Sequence, residues 1–330
     1  MYVLGIETSC DETAASVVKD GRIILSNVIA SSLRLHKKYG GIVPEVAFRM
    51  QLETITRVAD CAIKEAGVKL KNINLVSVTS GPGLAGSLLV GVSFAKAVNL
   101  SLGVALLGIN HLYSHIYGSF LNEVKPRLPF VALIISGGHT SLFYAEDFDR
   151  IKTLGQTSDD ACGEAFDKVA KILGRGYPGG PIIERLARQG NPKKIRFACS
   201  NTAEPLGFSF SGIKTAVLYY VKKQGLTALT KEIIADIAAS FQEAVIDTLI
   251  KKSLLACRMK KANRLVVAGG VAANSRLREK FYRETKKQGL DIYFPPRELC
   301  MDNAAMVAGL GYQLFKKGCR SGLNLNLDLN

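Results

Sequence analysis

Residues 2–7 (YVLGIE) form an apolar run, 8–14 (TSCDETA) a polar interruption and 15–19 (ASVVK) a second apolar run, the pattern of a strand, a turn and a returning strand. The same signature recurs at 129–136 (PFVALIIS), 137–140 (GGHT) and 141–147 (SLFYAED). Two such hairpins about one domain length apart predict two related lobes, each opening on a loop whose backbone can approach phosphate. Residues 75–80 predict a strand entering the turn GPGLAG (81–86) and then a helix. Residues 264–270 predict a strand that passes through VAAN into a helix from about Ser275. Strand, Gly-rich turn and helix is the α/β arrangement that holds a nucleotide at a helix N-terminus, although neither turn is G-x-G-x-x-G or a P-loop.

The stretch 83–110 is the most membrane-like, but Lys96 and Asn99 fall at its centre, so it predicts a buried helix followed by a buried strand. In 231–256, Ile234, Ile237, Ala238, Phe241, Val245, Thr248 and Leu249 recur at helical spacing, a core stripe without chemistry. Phe166, Val169, Ala170 and Leu173 mark the buried face of another helix, with Asp167 facing elsewhere. Gly179, Gly180 and Pro181 turn into the next helix, with Pro181 at its first position. Two prolines and mixed charge at 122–130 set a boundary, giving lobes of 1–125 and 126–330, with the last helix able to pack back on the first. The tail 322–330 alternates and either pairs as a short edge or frays.

A hydrophobic content of 48% with 22% charged residues describes a globular protein rather than a disordered one. Seven scattered cysteines without a C-x-x-C pair argue against a disulfide framework or a zinc knuckle. The start lacks a basic n-region and brings in Glu7, Asp11 and Glu12 early, so the expectation is a cytoplasmic protein with no membrane association. The formal charge of +15 makes a polyanionic partner plausible, and the excess concentrates at 257–264 and 274–287, relaxed only by Glu279 and Glu284.

Two of the chain's four histidines, His111 and His115, stand four positions apart. On a helix they share one face, and either bind a metal ion together or cap a partly buried helix. Asp302, at the start of an apolar helix, is the candidate third ligand of a two-His, one-carboxylate site suited to Fe(II) or Zn(II). His139 follows two glycines in the second hairpin turn and points to an active site. His36, followed by two lysines, is as readily solvent-exposed.

With these residues assembled, the chain resembles the universal family that makes N6-threonylcarbamoyladenosine in tRNA, in its bacterial transferase-subunit form. The resemblance rests on GIETSCDET (5–13), YGGIVPE (39–45), SGPGLAGSLLVG (80–91), NHLYSH (110–115), SGGHTSL (136–142), the 159–181 stretch, FSFSGIKTA (208–216), VAGGVAANSRLR (267–278) and MDNAAM (301–306). It implies an actin-like ATPase fold (ribonuclease H-like, ASKHA), α/β, with two related lobes and a cleft between them. It implies one divalent ion on His111, His115 and Asp302. It implies an adenylate, threonylcarbamoyl-AMP or alternatively ATP or ADP, held by Ile134, Ile135, Ser136, Gly137, Gly138, His139, Asp167, Gly180, Glu184 and Asn274. Asp11 and Glu12 match the family's acidic pair and are the catalytic candidates. The implied reaction is a metal-dependent acyl transfer to N6 of adenosine 37 in tRNAs reading codons that begin with A. The implied partners are tRNA, a degenerate paralogous actin-like subunit (TsaB type) and a small P-loop ATPase (TsaE type). Two departures stand out: Tyr113 and Ser114 replace the Glu and Gly or Ala common between the histidines, and Glu184 stands where some members carry Asp.

Two other readings compete. A metallopeptidase, a label the family once carried, needs a glutamate directly after the first histidine, where this chain has Leu112. A small-molecule kinase of the same fold needs an aspartate that deprotonates a hydroxyl and gives no reason for the histidine pair.

Overall fold

The computed structural model describes residues 1–225 and 230–329. The chain divides into two units, Met1–Lys125 with Pro295–Asn330, and Pro126–Phe294. The last helix therefore belongs to the first unit.

In the first unit, β1 (Tyr2–Glu7), β2 (Glu12–Lys19) and β3 (Ile23–Ser31) form an antiparallel meander. The short helix α1 (Leu33–His36) leads to α2 (Pro44–Glu65), and β4 (Ile73–Gly81) then pairs parallel with β1. Helix α3 (Ala85–Leu102) returns the chain to β5 (Ala105–Asn110), parallel to β4, and β5 runs directly into α4 (His111–Tyr117). The sheet order is β3-β2-β1-β4-β5.

In the second unit, β6 (Phe130–Ile135), β7 (Thr140–Asp147) and β8 (Arg150–Gln156) repeat the meander. Helices α5 (Cys162–Ile172), α6 (Gly179–Ala187), α7 (Ser211–Gln224) and α8 (Lys231–Lys260) precede β9 (Arg264–Ala268), which pairs parallel with β6. Helix α9 (Ser275–Lys287) leads to β10 (Asp291–Tyr293), parallel to β9. The order β10-β9-β6-β7-β8 is the first sheet's order read from the other edge. The expected pair of related lobes is thus present as one topology built twice. Back in the first unit, α10 (Ala304–Lys316) follows the last strand.

The period-2 alternation of β1 organises the first unit. Leu4 and Ile6 join Val17, Ile55, Val58, Ala59, Val76, Val78 and Val92 in the core beneath α2 and α3. Val3, Gly5 and Glu7 face the opposite side, where α10 lies. A Cβ on Gly5 would stand 2.2 Å from the Ala304 carbonyl oxygen, so only glycine lets the start of α10 come this close. Helix α3 is long and apolar enough to cross a bilayer by length and composition. It buries Leu88, Val92 and Ala95 on one side and exposes Leu89 and Leu100 on the other, so it is a one-sided helix rather than the buried one the sequence predicts.

Three local expectations need correction. Glu12 lies in β2 rather than in the turn, because β2 is longer than its apolar run. Helix α6 starts at Gly179, which places Pro181 third in the helix. The tail neither forms a strand nor frays among its described residues. Ser321 N–H donates to Leu106 O (2.9 Å), Asp328 N–H donates to Ser80 O (2.8 Å), and Leu325 and Leu327 pack on the core. Asn330, the last residue of that tail, lies outside the described residues.

Candidate metal centre and nucleotide-binding loops

Helix α4 begins where β5 ends, and the Asn110 side chain caps it by accepting from Tyr113 N–H (3.1 Å). This fixes His111 and His115 one turn apart, their rings 4.7 Å apart and nearly perpendicular. Asn303 caps α10 by accepting from Met306 N–H (3.1 Å), and Asp302 directly precedes that cap. The Asp302 Oδ1 lies 3.0 Å from His115 Nε2 and 3.7 Å from His111 Nε2. One ligand atom from each residue lies within 4.8 Å of the others, so the three could hold a metal ion together.

The surroundings fit such an ion. Glu7, at the end of β1, is fully buried and gathers three donors: Ser9 N–H (2.6 Å) on Oε1, and Thr79 Oγ–H (2.6 Å) and His111 Nδ1–H (3.1 Å) on Oε2. With Nδ1 donating to Glu7, Nε2 is the ring atom that faces Asp302, where a bound metal ion would take the place of its proton, the carboxylate–histidine arrangement that orients metal ligands. Burial pushes the Glu7 carboxyl up, but the facing His111 ring outweighs it and holds Glu7 below its usual range. Burial pulls His111 down, and the Glu7 and Asp302 carboxylates overcome it to raise the ring to about 9. His115 differs, because its buried Nδ1 has no hydrogen-bond partner among the described residues. Sequence reading missed Glu7. The available signal was a carboxylate closing an otherwise apolar strand, which a buried position tolerates only when paired.

Asp11 ends the turn that follows β1, and Glu12 opens β2. Burial first, then the charges of Asp302 and Asp11, push the Glu12 carboxyl up to about 10, so it carries a proton at neutral pH. Ser31 Oγ–H donates to Glu12 (3.3 Å) and Ser32 Oγ–H to the Asp11 carbonyl (2.7 Å).

In the second unit, Ile134 and Ile135 bury their side chains completely, and their backbones pair with Ser141 and Thr140 of β7. Of the expected nucleotide loop, only Ser136 to His139 present groups outside the sheet. Gly137 and Gly138 are exposed, and an added Cβ on either meets nothing within 4 Å. Gly163, at the start of α5, packs beneath this turn, where a Cβ would lie 2.6 Å from the Ser136 carbonyl oxygen. The Asp167 carboxylate accepts Gly179 N–H at the start of α6 (2.6 Å) and is not simply solvated. Burial pushes it up to about 6 against that hydrogen bond. Gly180, beside it, has open space where a side chain would be. Asn274 caps α9 as expected, accepting from Leu277 N–H (2.9 Å), and its Nδ2–H donates to Gln242 (2.8 Å). Glu184 accepts Ser275 N–H (3.1 Å) and pairs with Arg188 (2.9 Å). Glu184, Arg188 and Ser275 line a cavity of about 190 Å³ together with Gln242, Glu243 and Arg276.

The basic stretch at 274–287 is less free than its composition suggests. Lys280 is buried between Glu243 and Asp247 of α8 (2.5 Å each), and Arg276 pairs with Glu243 and Glu279. Glu243 and Asp247 come from a different helix, which the local sequence does not reveal.

Two units that repeat one sheet order form the actin-like ATPase fold class that the family resemblance implies. Solved structures agree: HypF from T. kodakarensis matches with a TM-score of 0.64 at 16% identity, over 96% of this chain and 48% of that one. The Acidaminococcus fermentans (R)-2-hydroxyglutaryl-CoA dehydratase component A matches with a TM-score of 0.56 at 18% identity, over 95% and 98%. These likenesses establish the fold alone. The TsaD family model, described as tRNA N6-adenosine threonylcarbamoyltransferase, matches residues 23–309. Proteins of that name from Syntrophus aciditrophicus and Symbiobacterium thermophilum are 50% and 51% identical, over 99% and 98% of this chain and 96% and 94% of theirs. The chain belongs to the tRNA N6-adenosine threonylcarbamoyltransferase family.

Proposed function

We propose that this protein transfers the threonylcarbamoyl group from threonylcarbamoyl-AMP to N6 of adenosine 37 in tRNAs reading codons that begin with A. Family membership supports the reaction, and the observation that carries the site is the buried Glu7–His111–His115–Asp302 constellation. His111, His115 and Asp302 hold one divalent ion, Fe(II) or Zn(II), which when bound supplies positive charge to neutralise a departing phosphate. Glu7 keeps the His111 Nδ1 proton in place, so Nε2 remains a ligand. Gly137 and Gly138 offer backbone donors to the adenylate phosphate in the turn that Ser136 and His139 close on each other, while Asp167, Gly180, Glu184 and Asn274 position its nucleoside. The N6 amine is a weak nucleophile, so rate enhancement comes mainly from positioning rather than from a covalent intermediate. Asp11 and Glu12 are the catalytic candidates, on the strength of their match to the family's acidic pair.

The exposed face of α3, with Leu89 and Leu100 open to solvent at 57% and 67%, and Leu52 of α2 at 65%, supports a docking surface for the paralogous actin-like subunit. A small P-loop ATPase completes the assembly, in the cytoplasm. The test is mass spectrometry of nucleosides from bulk tRNA in cells depleted of this protein and rescued with wild type or His111→Ala. Threonylcarbamoyladenosine that disappears on depletion and returns only with wild type supports the transferase and the metal role. Its persistence after verified depletion refutes the transferase.

A further inference from the structure

The motif LRLHKKYGGIVP (33–44) has a structure that the site described above does not use. His36 is fully buried rather than solvent-exposed, and it clips this segment shut. Val43 N–H donates to His36 Nδ1 (3.2 Å), which makes Nδ1 an acceptor and leaves the proton on Nε2. Nε2–H donates to Ser32 Oγ (2.9 Å), and Ser32 Oγ–H donates to the Asp11 carbonyl (2.7 Å). The base of the hook is therefore tied to the acidic turn beside the metal ligands.

Beyond the clip, the tip combines an exposed ring, exposed apolar side chains and cations. Tyr39 is 52% exposed, Leu35 and Ile42 are also exposed, and the Lys38 ammonium lies 4.8 Å from the Tyr39 ring centroid. Gly40 adopts φ 70°, turning the chain where a side chain would be strained, with no atom within 4 Å. Arg34, Lys37 and Lys38 are exposed, and no acidic residue occurs in the sequence between Asp20 and Glu45. No ion pair among the described residues neutralises these three cations, in contrast to Arg276 and Lys280. An exposed ring flanked by unpaired cations is the combination that binds single-stranded nucleic acid, by stacking on a base and contacting adjacent phosphates.

We propose that the 33–42 hook is a contact for the single-stranded loop of the RNA substrate, Tyr39 stacking on an unpaired base and Arg34, Lys37 and Lys38 meeting the flanking phosphates. The proposal rests on the tRNA reading above and locates part of that surface. Its attachment to the Asp11 turn places the held loop next to the acidic residues.

The test is binding of the full-length protein to a labelled anticodon stem-loop RNA over a salt series, with Tyr39→Ala, Tyr39→Phe and the double variant Lys37→Ala/Lys38→Ala. Wild-type thermal melts for the variants establish that these exposed positions leave folding intact. Tyr39→Ala is expected to weaken binding roughly 5- to 150-fold, the range for losing one stacking ring, while Tyr39→Phe keeps it. The lysine double variant is expected to lower the salt slope by about 0.7 per lost phosphate contact. Wild-type affinity for Tyr39→Ala with an unchanged salt slope for the double variant would overturn the hook as an RNA contact. So would variants that keep RNA binding but lose a partner subunit, which would make the hook a protein contact. If the wild-type protein binds no RNA and cells lacking it keep threonylcarbamoyladenosine, the tRNA reading itself is at fault.

Discussion

The Glu7 carboxylate accepts the Nδ1 proton of His111 at 3.1 Å, across 104 residues of sequence. Glu7 serves three donors with two acceptor oxygens, and glutamine supplies only one acceptor oxygen while adding two N–H groups that face other donors. Glu7→Gln should therefore weaken zinc binding about 10- to 100-fold, the usual cost of losing an outer-shell partner. Isothermal titration of metal-free protein with zinc measures this, and unchanged affinity would reduce Glu7 to a purely structural role.

The raised carboxyl of Asp167 has a consequence for stability. Its value in the folded protein, about 6, exceeds the ordinary 3.8, so the folded state binds this proton more tightly than the unfolded chain. The stabilisation is complete below about pH 4 and is lost as pH rises through about 6. Thermal melts of wild type and Asp167→Asn between pH 4 and 7 should show wild type losing stability relative to the variant across that window. Parallel curves would place the titration elsewhere.

Two glycines near the Ser136 turn should behave oppositely. Gly163→Ala drives a Cβ into the Ser136 carbonyl oxygen at 2.6 Å and the Gly137 Cα at 2.9 Å, both backbone atoms that cannot swing away. It should cost about 1–3 kcal/mol of stability and reduce nucleotide affinity by displacing the turn. Gly138→Ala meets open space and should stay within about 0.5 kcal/mol of wild type. Chemical denaturation of both variants distinguishes them, and equal losses would contradict the packing described.

Leu89 is 57% exposed on α3, so Leu89→Asp should leave the melting temperature near that of wild type while abolishing co-elution with the paralogous subunit on size-exclusion chromatography. Retained co-elution would move that interface away from α3.

Apolar runs that alternate with turns were enough to locate the paired hairpins, because period-2 burial is a local property of the chain. The i, i+4 spacing of His111 and His115 and the helix-start position of Asp302 were legible for the same reason. Partners that only the folded backbone brings together were not. His36 reads as a basic-loop residue because Val43 N–H and Ser32, which bury it, meet it only through the folded turn. Lys280 reads as a free cation because Glu243 and Asp247 lie on another helix. Ile134 and Ile135 belong to a motif that the family resemblance assigns to the nucleotide, but the sheet takes up both their side chains and their backbone, which a motif alone does not convey.

Asp302 reaches the two histidines from 187 residues further along the chain, in a segment that belongs to the first unit but is synthesised after the second. The three side chains therefore cannot come together until the entire second unit has been synthesised. A chain cut short before residue 302 would keep Glu7, His111 and His115 yet lack the carboxylate that completes the cluster.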